Sequence, residues 1–267
     1  MTQPAIDSNP PSSSKLPHHL HHSQEGILPA IQSLFAIMVT AIFIITFVIQ
    51  PFRIPSGSME PTLLVGDFLL VNKQITTPGA SGWIFPKPRI RRGEVVVFHF
   101  PINPTMHLVK RVIGLPGDRI KLRDGRVYID DQPLTEPYAV YRPSAPDGYR
   151  DNFPRLQSTE PDVDSRWWIR MHTLIHGGEL TVPPGNYFVL GDNRNDSEDS
   201  RYWGFVPRAA IVGEPMLIYF SLQQPEASDE IALGRSSNAT VLQRRRSSAL
   251  DAVADFARWD RTLQIVR

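Results

Sequence analysis

An uncharged apolar run near the amino terminus constrains the fold of this chain more than any other feature. The run extends from Ile27 to Ile49 and contains no Asp, Glu, Lys or Arg. As a helix rising about 1.5 Å per residue, it is long enough to cross the roughly 30 Å hydrocarbon core of a bilayer. A cleaved signal peptide is the alternative, but its apolar core is only about 7 to 15 residues long and follows a basic segment. Because this run is longer and follows Glu25, we expect a transmembrane helix at 27–49.

The residues around this run leave its orientation open. Lys15 is the only Lys or Arg before it, and Arg53 lies just after it. Residues 1–26 are rich in Ser, Pro and His, a composition that predicts a disordered tail. The histidine cluster at 18–22 has no carboxylate partners, so a functional metal site there is disfavoured.

Composition excludes several classes of function. The chain has 28 Lys and Arg against 27 Asp and Glu, and so lacks the overall basic charge of a nucleic-acid-binding protein. It has no cysteine, which excludes disulfides, thiolate metal sites and cysteine nucleophiles. Its 25 prolines favour turns and short strands over long helices.

Short β-branched and aromatic runs after residue 50 predict a mostly β protein. We expect strands at 63–71, 94–100, 108–113, 186–190, 210–212 and 216–220, and a hairpin at 120–131 about Asp124-Gly125. Residues 76–92 predict a loop, and one interpretation places its Trp83 against lipid. Residues 136–170 show no clear period and predict an irregular insert. A weakly amphipathic stretch at 249–266 allows a short helix, although a solvated tail is the favoured interpretation.

A serine stands in a bend directly after the apolar run. The backbone around Ser58 is restricted by Pro55 and Pro61, whereas Gly57 permits a conformation that most residues resist. In such a bend the Ser58 hydroxyl and nearby backbone N–H groups can converge on one point. An ordinary Pro/Gly loop is the alternative interpretation.

A lysine interrupts the apolar strand at 108–113. In a strand, Lys110 shares a face with Leu108 and Val112. An exposed lysine that protects a sheet edge from aggregation is the simpler interpretation for a lone lysine. The other is a general base for Ser58. A lysine with its ordinary pKa is neutral in only about one molecule in 2,500 at pH 7, and lowering that pKa to roughly 7 or 8 takes about 4 kcal/mol, which burial can supply. With the polar loop at 191–207, the two residues suggest a Ser/Lys dyad.

Two metal sites are weaker alternatives. Asp192, Asp196 and Asp199 are candidate calcium ligands, but their spacing misses the EF-hand pattern. His172 and His176 have the spacing of a helical zinc pair, but no acidic residue lies between them and two glycines follow. We expect no metal and no cofactor.

Four stretches in the expected order resemble the bacterial type I signal peptidases, or leader peptidases, a family of Ser/Lys serine proteases. They are P-S-G-S-M-E-P-T-L at 55–63, R-G-E-V-V-V-F at 92–98, K-R-V-I-G-L-P-G-D at 110–118 and G-D-N-R-N-D-S-E-D-S-R-Y-W-G-F-V-P at 191–207. With the apolar run, the resemblance covers roughly residues 27–220. It departs slightly at Glu94, where the family more often has Asp, and at Asn195-Asp196.

The resemblance implies a role for each matching residue. Ser58 would be the nucleophile and Lys110 the general base. The Ser56 hydroxyl and the Ser58 backbone N–H would form the oxyanion hole, where each donor is typically worth about 3 to 4 kcal/mol. Ser197 would hydrogen-bond and orient Lys110, and Asp199 and Arg201 would pair to hold that loop. Shallow substrate pockets that accept small side chains would be lined by Phe52, Ile54, Leu69 and Val109.

The expected protein is therefore a membrane-anchored serine endopeptidase that removes signal peptides from exported preproteins after Ala-x-Ala-like sites. The resemblance places its catalytic domain on the extracytoplasmic side of a bacterial cell membrane, with an internal membrane left open. The expected partners are signal peptides and the bilayer, not nucleic acid. Alternatives are another Ser/Lys protease, such as a self-cleaving repressor-type peptidase, and a non-catalytic membrane-anchored β module that binds signal sequences.

The expected domains follow from these patterns. An antiparallel catalytic β domain would comprise 50–119 and 186–221. An inserted cap subdomain would comprise 120–185, and a C-terminal extension 222–267.

Overall fold

The apolar run forms a helix whose end differs from the expectation. The computed structural model describes residues 27–47, 49–73, 89–156, 161–223 and 257–266. Helix α1 covers Ile27–Phe47, and the chain enters strand β1 at Ile49 instead of continuing the helix. Pro51 lacks an N–H and disfavours helix, whereas pairing of β1 with a neighbouring strand satisfies the backbone. Among the residues that the structure describes, no helix combines the length and hydropathy that a membrane span requires.

Antiparallel strands dominate the chain beyond α1. In chain order they are β1 Ile49–Arg53, β2 Asp67–Asn72, β3 Val95–His99, β4 His107–Gly114, β5 Arg119–Arg123, β6 Arg126–Ile129, β7 Gln132–Pro133, β8 Ile175–His176, β9 Glu179–Thr181, β10 Asn186–Leu190, β11 Val206–Pro207, β12 Ile211–Ser221 and β13 Gln264–Ile265. The helices after α1 are α2 Gly148–Asp151, α3 Ser165–His172 and α4 Ser200–Trp203. The expectation of a mostly β fold is confirmed.

In the described residues, the larger sheet has eight strands in the order β1-β2-β12-β3-β4-β10-β11, with β13 paired to β12. Strand β4 therefore lies in the interior of the sheet, between β3 and β10. The expected strand at 63–71 begins only at Asp67, because the chain turns between Met59 and Leu64 and the Leu63 N–H bonds the Met59 carbonyl. The expected strands at 210–212 and 216–220 form one continuous strand, β12.

The smaller sheet, β7-β6-β5-β9-β8, lies within the segment expected to form the cap. The expected hairpin is confirmed: Asp124 (φ 48°) and Gly125 (φ 78°) both have positive φ, as a type I′ turn requires. A shared core joins the two sheets, since Ile120 and Leu180 of the smaller one belong to the same buried cluster as Phe188 of the larger one.

The segment at 136–170 is not wholly irregular as expected. Helix α3 begins after Asp164, whose side chain accepts hydrogen bonds from the N–H groups of Arg166 and Trp167. It buries Trp167 and Met171 against the core. The helix is too short to show a clear apolar period in the sequence, so tertiary packing stabilises it. It ends at His172 and His176 lies in β8, so these histidines do not share a helix as the zinc alternative requires.

Residues 257–266 of the C-terminal extension also differ from the expected helix or solvated tail. It forms the 3-10 turn Trp259–Arg261 and then β13, which pairs with Leu217 and Ile218 of β12. The N-terminal tail with its histidines, residues 76–88 of the predicted loop and residues 224–256 lie outside the described residues.

Candidate active site

The bend between β1 and β2 presents Ser58. Ser58 lies in the 3-10 turn Gly57–Met59, which Met59 anchors by burying its side chain with 1% exposed. Ser56 precedes the turn in an extended conformation, and its hydroxyl makes no capping bond to the turn. The Ser56 and Ser58 Oγ atoms are 3.4 Å apart. A hydroxyl is thus held beside the candidate nucleophile, where an oxyanion donor is needed.

Strand β4 carries Lys110 to the same point. Its Nζ atom donates a hydrogen bond of 2.6 Å to Ser58 Oγ, and the residue is 3% exposed. Because β4 is interior and Lys110 is buried, the alternative of an exposed edge-strand lysine is wrong. In the register of the sheet, Lys110 stands opposite Val96 of β3, an inner strand.

The surroundings of Lys110 favour its neutral form. Burial lowers the pKa of Lys110 from 10.5 to about 8, with Arg201 adding to this effect and Asp199, Glu198 and Asp192 opposing it. At pH 7 an amine with a pKa near 8 is neutral in roughly one molecule in ten. That fraction is large enough for a general base that takes the serine proton.

The polar loop at 191–207 holds the serine turn from behind. The Asn193 backbone N–H donates to the Ser58 carbonyl at 3.1 Å, and its side-chain Nδ2 donates to the Gly57 carbonyl at 3.2 Å. Asn193 is completely buried. Gly191 packs so closely that a Cβ atom there would overlap the Ser58 carbonyl oxygen and the Ser197 side chain. Sequence reasoning assigned roles to neither Asn193 nor Gly191. Both residues lie in the G-D-N segment directly after a buried strand, a position that could have pointed to a role at the site.

Ser197 has a different partner from the expected one. Its hydroxyl donates to Asp199 Oδ2 at 2.8 Å, and the described contacts include no hydrogen bond from Ser197 to Lys110. Asp199 and Arg201 do pair, at 2.8 Å. Burial would raise the pKa of Asp199, but the Arg201 charge and its hydrogen bonds outweigh burial and lower that pKa. The loop therefore places an ionised carboxylate between Ser197 and Arg201.

The smaller sheet's segment supports this loop. The Tyr149 hydroxyl and the Trp167 indole N–H both donate to the Arg201 carbonyl, at 2.7 and 3.0 Å. Arg201 in turn donates to the Arg194 carbonyl at 2.9 Å. Buried aromatic donors thus satisfy the backbone at the point where the loop turns.

A second buried ion pair braces the loop against β4. Arg111 binds Asp192 in a bidentate pair, with Nε–Oδ1 and Nη2–Oδ2 distances of 2.8 and 2.6 Å. Thr62 adds a 2.5 Å hydrogen bond to Asp192 Oδ2. Because arginines bind Asp192 and Asp199 while Asp196 is exposed, the calcium alternative is wrong. The described residues contain no group of three His, Cys, Asp or Glu residues that could hold a metal ion.

The four expected pocket residues belong to one apolar cluster. Leu69 is completely buried and Ile54 is 3% exposed, whereas Phe52 and Val109 are half-buried and pack against the cluster. Leu69 therefore forms part of the support beneath the surface and is not available to a ligand in this structure. The Phe52 ring also makes an edge contact with His107, with centroids 5.2 Å apart.

Taken together, these groups allow nucleophilic acyl transfer. Ser58 has a buried amine at hydrogen-bond distance and a second hydroxyl beside it. A half-buried apolar surface lies on the strands that flank it. These are the elements of covalent catalysis by an activated serine.

Comparisons with known proteins identify relatives of this chain. Residues 27–220 match the family model described as signal peptidase, peptidase S26. Proteins called signal peptidase I from Pseudomonas fluorescens and Pseudomonas aeruginosa are each 34% identical, and each alignment covers 74% of this chain and 74% of the relative. One from Aquifex aeolicus is 32% identical, covering 76% of this chain and 88% of the relative. A crystal structure of a signal peptidase I from Enterococcus faecalis shares 35% identity, with a TM-score of 0.35, and covers 48% of this chain and 97% of that one.

Proposed function

Because the chain belongs to the signal peptidase family, peptidase S26, and is thus a serine endopeptidase, we propose that Ser58 and Lys110 are its catalytic dyad and that it cleaves signal peptides from exported preproteins. The single observation that carries the dyad is the 2.6 Å contact between Ser58 Oγ and a buried lysine whose pKa is lowered to about 8. An amine held at hydrogen-bond distance from a serine and buried away from water, where its charge is costly, supports the role of general base.

The reaction follows from this contact. Neutral Lys110 takes the Ser58 proton as Oγ attacks the scissile carbonyl carbon, and the carbonyl electron pair moves to oxygen. The Ser56 hydroxyl and the Ser58 backbone N–H donate to that oxyanion. Collapse of the intermediate breaks the C–N bond, and the Lys110 ammonium returns the proton to the leaving amine. Water then attacks the acyl-enzyme with Lys110 again as base, which frees the acid and restores Ser58.

The site also accounts for small residues at the cleavage point. Phe52 and Val109 form the accessible part of the apolar surface, with Ile54 and Leu69 beneath them. A shallow surface backed by a packed core rejects large side chains by overlap. This supports cleavage after Ala-x-Ala-like sequences. Ser197 would support the site by its hydrogen bond to Asp199, and not by a hydrogen bond to Lys110.

We also propose a membrane location. The uncharged run at 27–49 would anchor the chain in a bacterial cell membrane, with the catalytic domain (50–119 and 186–221) and the cap (120–185) on the side to which proteins are exported. An enzyme that shares a bilayer with its substrate's apolar segment meets it at a high effective concentration. Signal peptides and lipid would then be its partners.

The test is cleavage of a purified preprotein that carries an Ala-x-Ala site, in lipid, followed by sequencing of the new N-terminus. Cleavage after the second Ala should be lost in both Ser58→Ala and Lys110→Ala. Ser165→Ala is the matched control, because Ser165 is exposed on α3 in the cap. Undiminished cleavage by Ser58→Ala would disprove the nucleophile. Undiminished cleavage by Lys110→Ala would disprove the general base. No cleavage by well-folded wild type would favour a non-catalytic binding module.

A further inference from the structure

The loop that carries Ser58 is closed at its base by Asp67. The Ile54 N–H donates to the Asp67 carbonyl at 2.8 Å, and the Gly66 N–H donates to the Ile54 carbonyl at 3.0 Å. Residues 55–66 therefore leave and re-enter the sheet at one place. Any group that holds Asp67 also holds both ends of the loop on which Ser58 stands.

The Asp67 carboxylate lies in the interior and needs cationic partners. Asp67 is completely buried, and accepts hydrogen bonds from the Leu64 N–H at 2.8 Å and the Ser221 hydroxyl at 2.6 Å. It forms ion pairs with two arginines: Arg261 Nη2 is 2.7 Å from Asp67 Oδ2, and Arg258 Nη2 is 3.8 Å from Asp67 Oδ1. A buried carboxylate without such a partner is strongly disfavoured.

The two arginines that approach Asp67 also bind the outgoing side of the loop. Arg261 Nη2 donates to the Thr62 carbonyl at 3.0 Å. Arg258 donates to the Val65 carbonyl, and to the Leu222 carbonyl at 2.7 Å. Both arginines belong to residues 257–266, which lie beyond the segment matched by the family model.

The backbone of this segment is seated by the larger sheet. Besides the β13–β12 pairing, the Arg258 N–H donates to the Ser221 carbonyl at 2.9 Å and the Leu263 N–H to the Ile218 carbonyl at 2.7 Å. The Leu222 carbonyl packs against Gly66 so closely that a Cβ atom on Gly66 would overlap it. These backbone contacts therefore hold both arginines at a defined position beside Asp67.

Thr62 connects these arginines to the polar loop that supports Ser58. Its carbonyl accepts from Arg261, while its hydroxyl donates to Asp192, the neighbour of the Asn193 that holds the Ser58 carbonyl. The polar loop thus hydrogen-bonds the Ser58 loop on one side, and the C-terminal arginines hydrogen-bond it on the other.

We propose that Arg258 and Arg261 are positioning residues for signal-peptide cleavage: the C-terminal segment 257–266 clamps the 55–66 loop and keeps Ser58 in register with Lys110. This inference rests on the proposed function for its catalytic consequence. Because the clamp acts on the nucleophile and not on the apolar pocket, its loss should lower kcat more than it raises KM. Misplacement of a reacting group by about 1 Å costs on the order of 100-fold in rate.

The experiment compares Arg261→Ala, Arg261→Lys and Asp260→Asn in the full chain. Asp260 is the control because it is exposed in the same segment. Arg261→Ala should lose about 10- to 100-fold in kcat with KM changed little. Arg261→Lys keeps the positive charge but loses the planar guanidinium and its several N–H donors, so it should recover part of the lost kcat. Millimolar guanidinium should also partly restore Arg261→Ala, an effect that general destabilisation would not produce.

Hydrogen exchange provides a readout that does not depend on activity. The Leu64 amide, bonded to Asp67, should exchange faster in folded Arg261→Ala, whereas the Gly125 amide of the cap, bonded to the Asp151 carbonyl, should not change. If Arg261→Ala fails to fold, Arg261→Lys serves for the same comparison. Unchanged Leu64 exchange, or wild-type kcat in the variant, overturns the clamp. A wild-type enzyme that does not cleave preproteins contradicts the proposed function alone, since the exchange result still decides the clamp.

Discussion

At the scale of a single residue, the surroundings of Lys110 suit the general base that we propose. Its amine contacts Ser58 and is buried on an interior strand, where loss of hydration disfavours the charge. Nearby carboxylates partly oppose that effect, since Asp199 and Glu198 raise the pKa of Lys110. Arg201, by contrast, lowers it further. The balance leaves a pKa of about 8, within reach of physiological pH.

The first prediction concerns the pH dependence of cleavage. Lys110 acts as base only when neutral, so kcat/KM should rise with pH and level off above about pH 8. Glu198→Gln removes a charge that raises the pKa of Lys110, and should therefore move the rising limb to lower pH. Asp196→Asn, an exposed carboxylate of the same loop, is the control and should leave the profile in place. A shift of the limb to higher pH in Glu198→Gln would contradict this account.

At the scale of an element, the polar loop acts as a rigid support for the serine turn. It fills the space behind Ser58 with backbone, because Gly191 has no side chain and Asn193 bonds two successive carbonyls of the turn. A buried hydrogen-bonded network of this kind specifies one geometry, and each member is costly to remove.

Gly191→Ala should test that support. The new methyl group would overlap the Ser58 carbonyl oxygen and the Ser197 side chain, so the backbone at Ser58 or at Gly191 must shift, which disturbs the contact between Ser58 and Lys110. We expect a loss in kcat of about 100-fold, measured with a preprotein substrate. Gly148→Ala is the matched control, since a methyl group there meets only the flexible Arg155 side chain in the cap. Equal activity in the two variants would show that the close contact at Gly191 does not matter.

At the scale of the whole molecule, the buried lysine Lys110 reduces the stability of the fold. A lysine whose pKa is about 8 when folded and 10.5 when unfolded binds fewer protons in the folded state between those values. Stability should therefore rise as pH increases from about 8 to 10.5, and the full cost of burying the charge is present below pH 8.

Lys110→Met should remove this cost. At pH 7 we expect its free energy of unfolding to exceed that of wild type by about 3 kcal/mol, with the difference shrinking towards zero above pH 10.5, while cleavage is abolished. Urea unfolding at the two pH values measures the effect. Lys121→Met is the control, because Lys121 pairs with Asp131 and Glu179 and its pKa is raised, so its replacement should not stabilise the fold. An unchanged free energy in Lys110→Met would contradict the buried charge.

Sequence reasoning anticipated most of the strands and the Asp124-Gly125 hairpin, because each depends on a local pattern. It also singled out Ser58 and Lys110, which the structure brings to hydrogen-bond distance. It missed α3, which is short and stabilised by packing of Trp167 and Met171. It expected Ser197 to bond Lys110, whereas in this structure the Ser197 hydroxyl donates to Asp199. It also expected a short helix or a solvated tail where residues 257–266 join the sheet.

The sequence by itself determined that Ser58 stands in a sharp bend, that Lys110 interrupts an apolar strand and that the chain is mostly β. These properties follow from backbone restrictions and side-chain periodicity, which act between near neighbours. Only the tertiary structure decided that Lys110 is interior and meets Ser58, that Asn193 and Gly191 support the turn, and that Arg261 reaches Asp67. Such contacts depend on strand order and register, which the packing of the whole core selects and no short stretch of residues encodes.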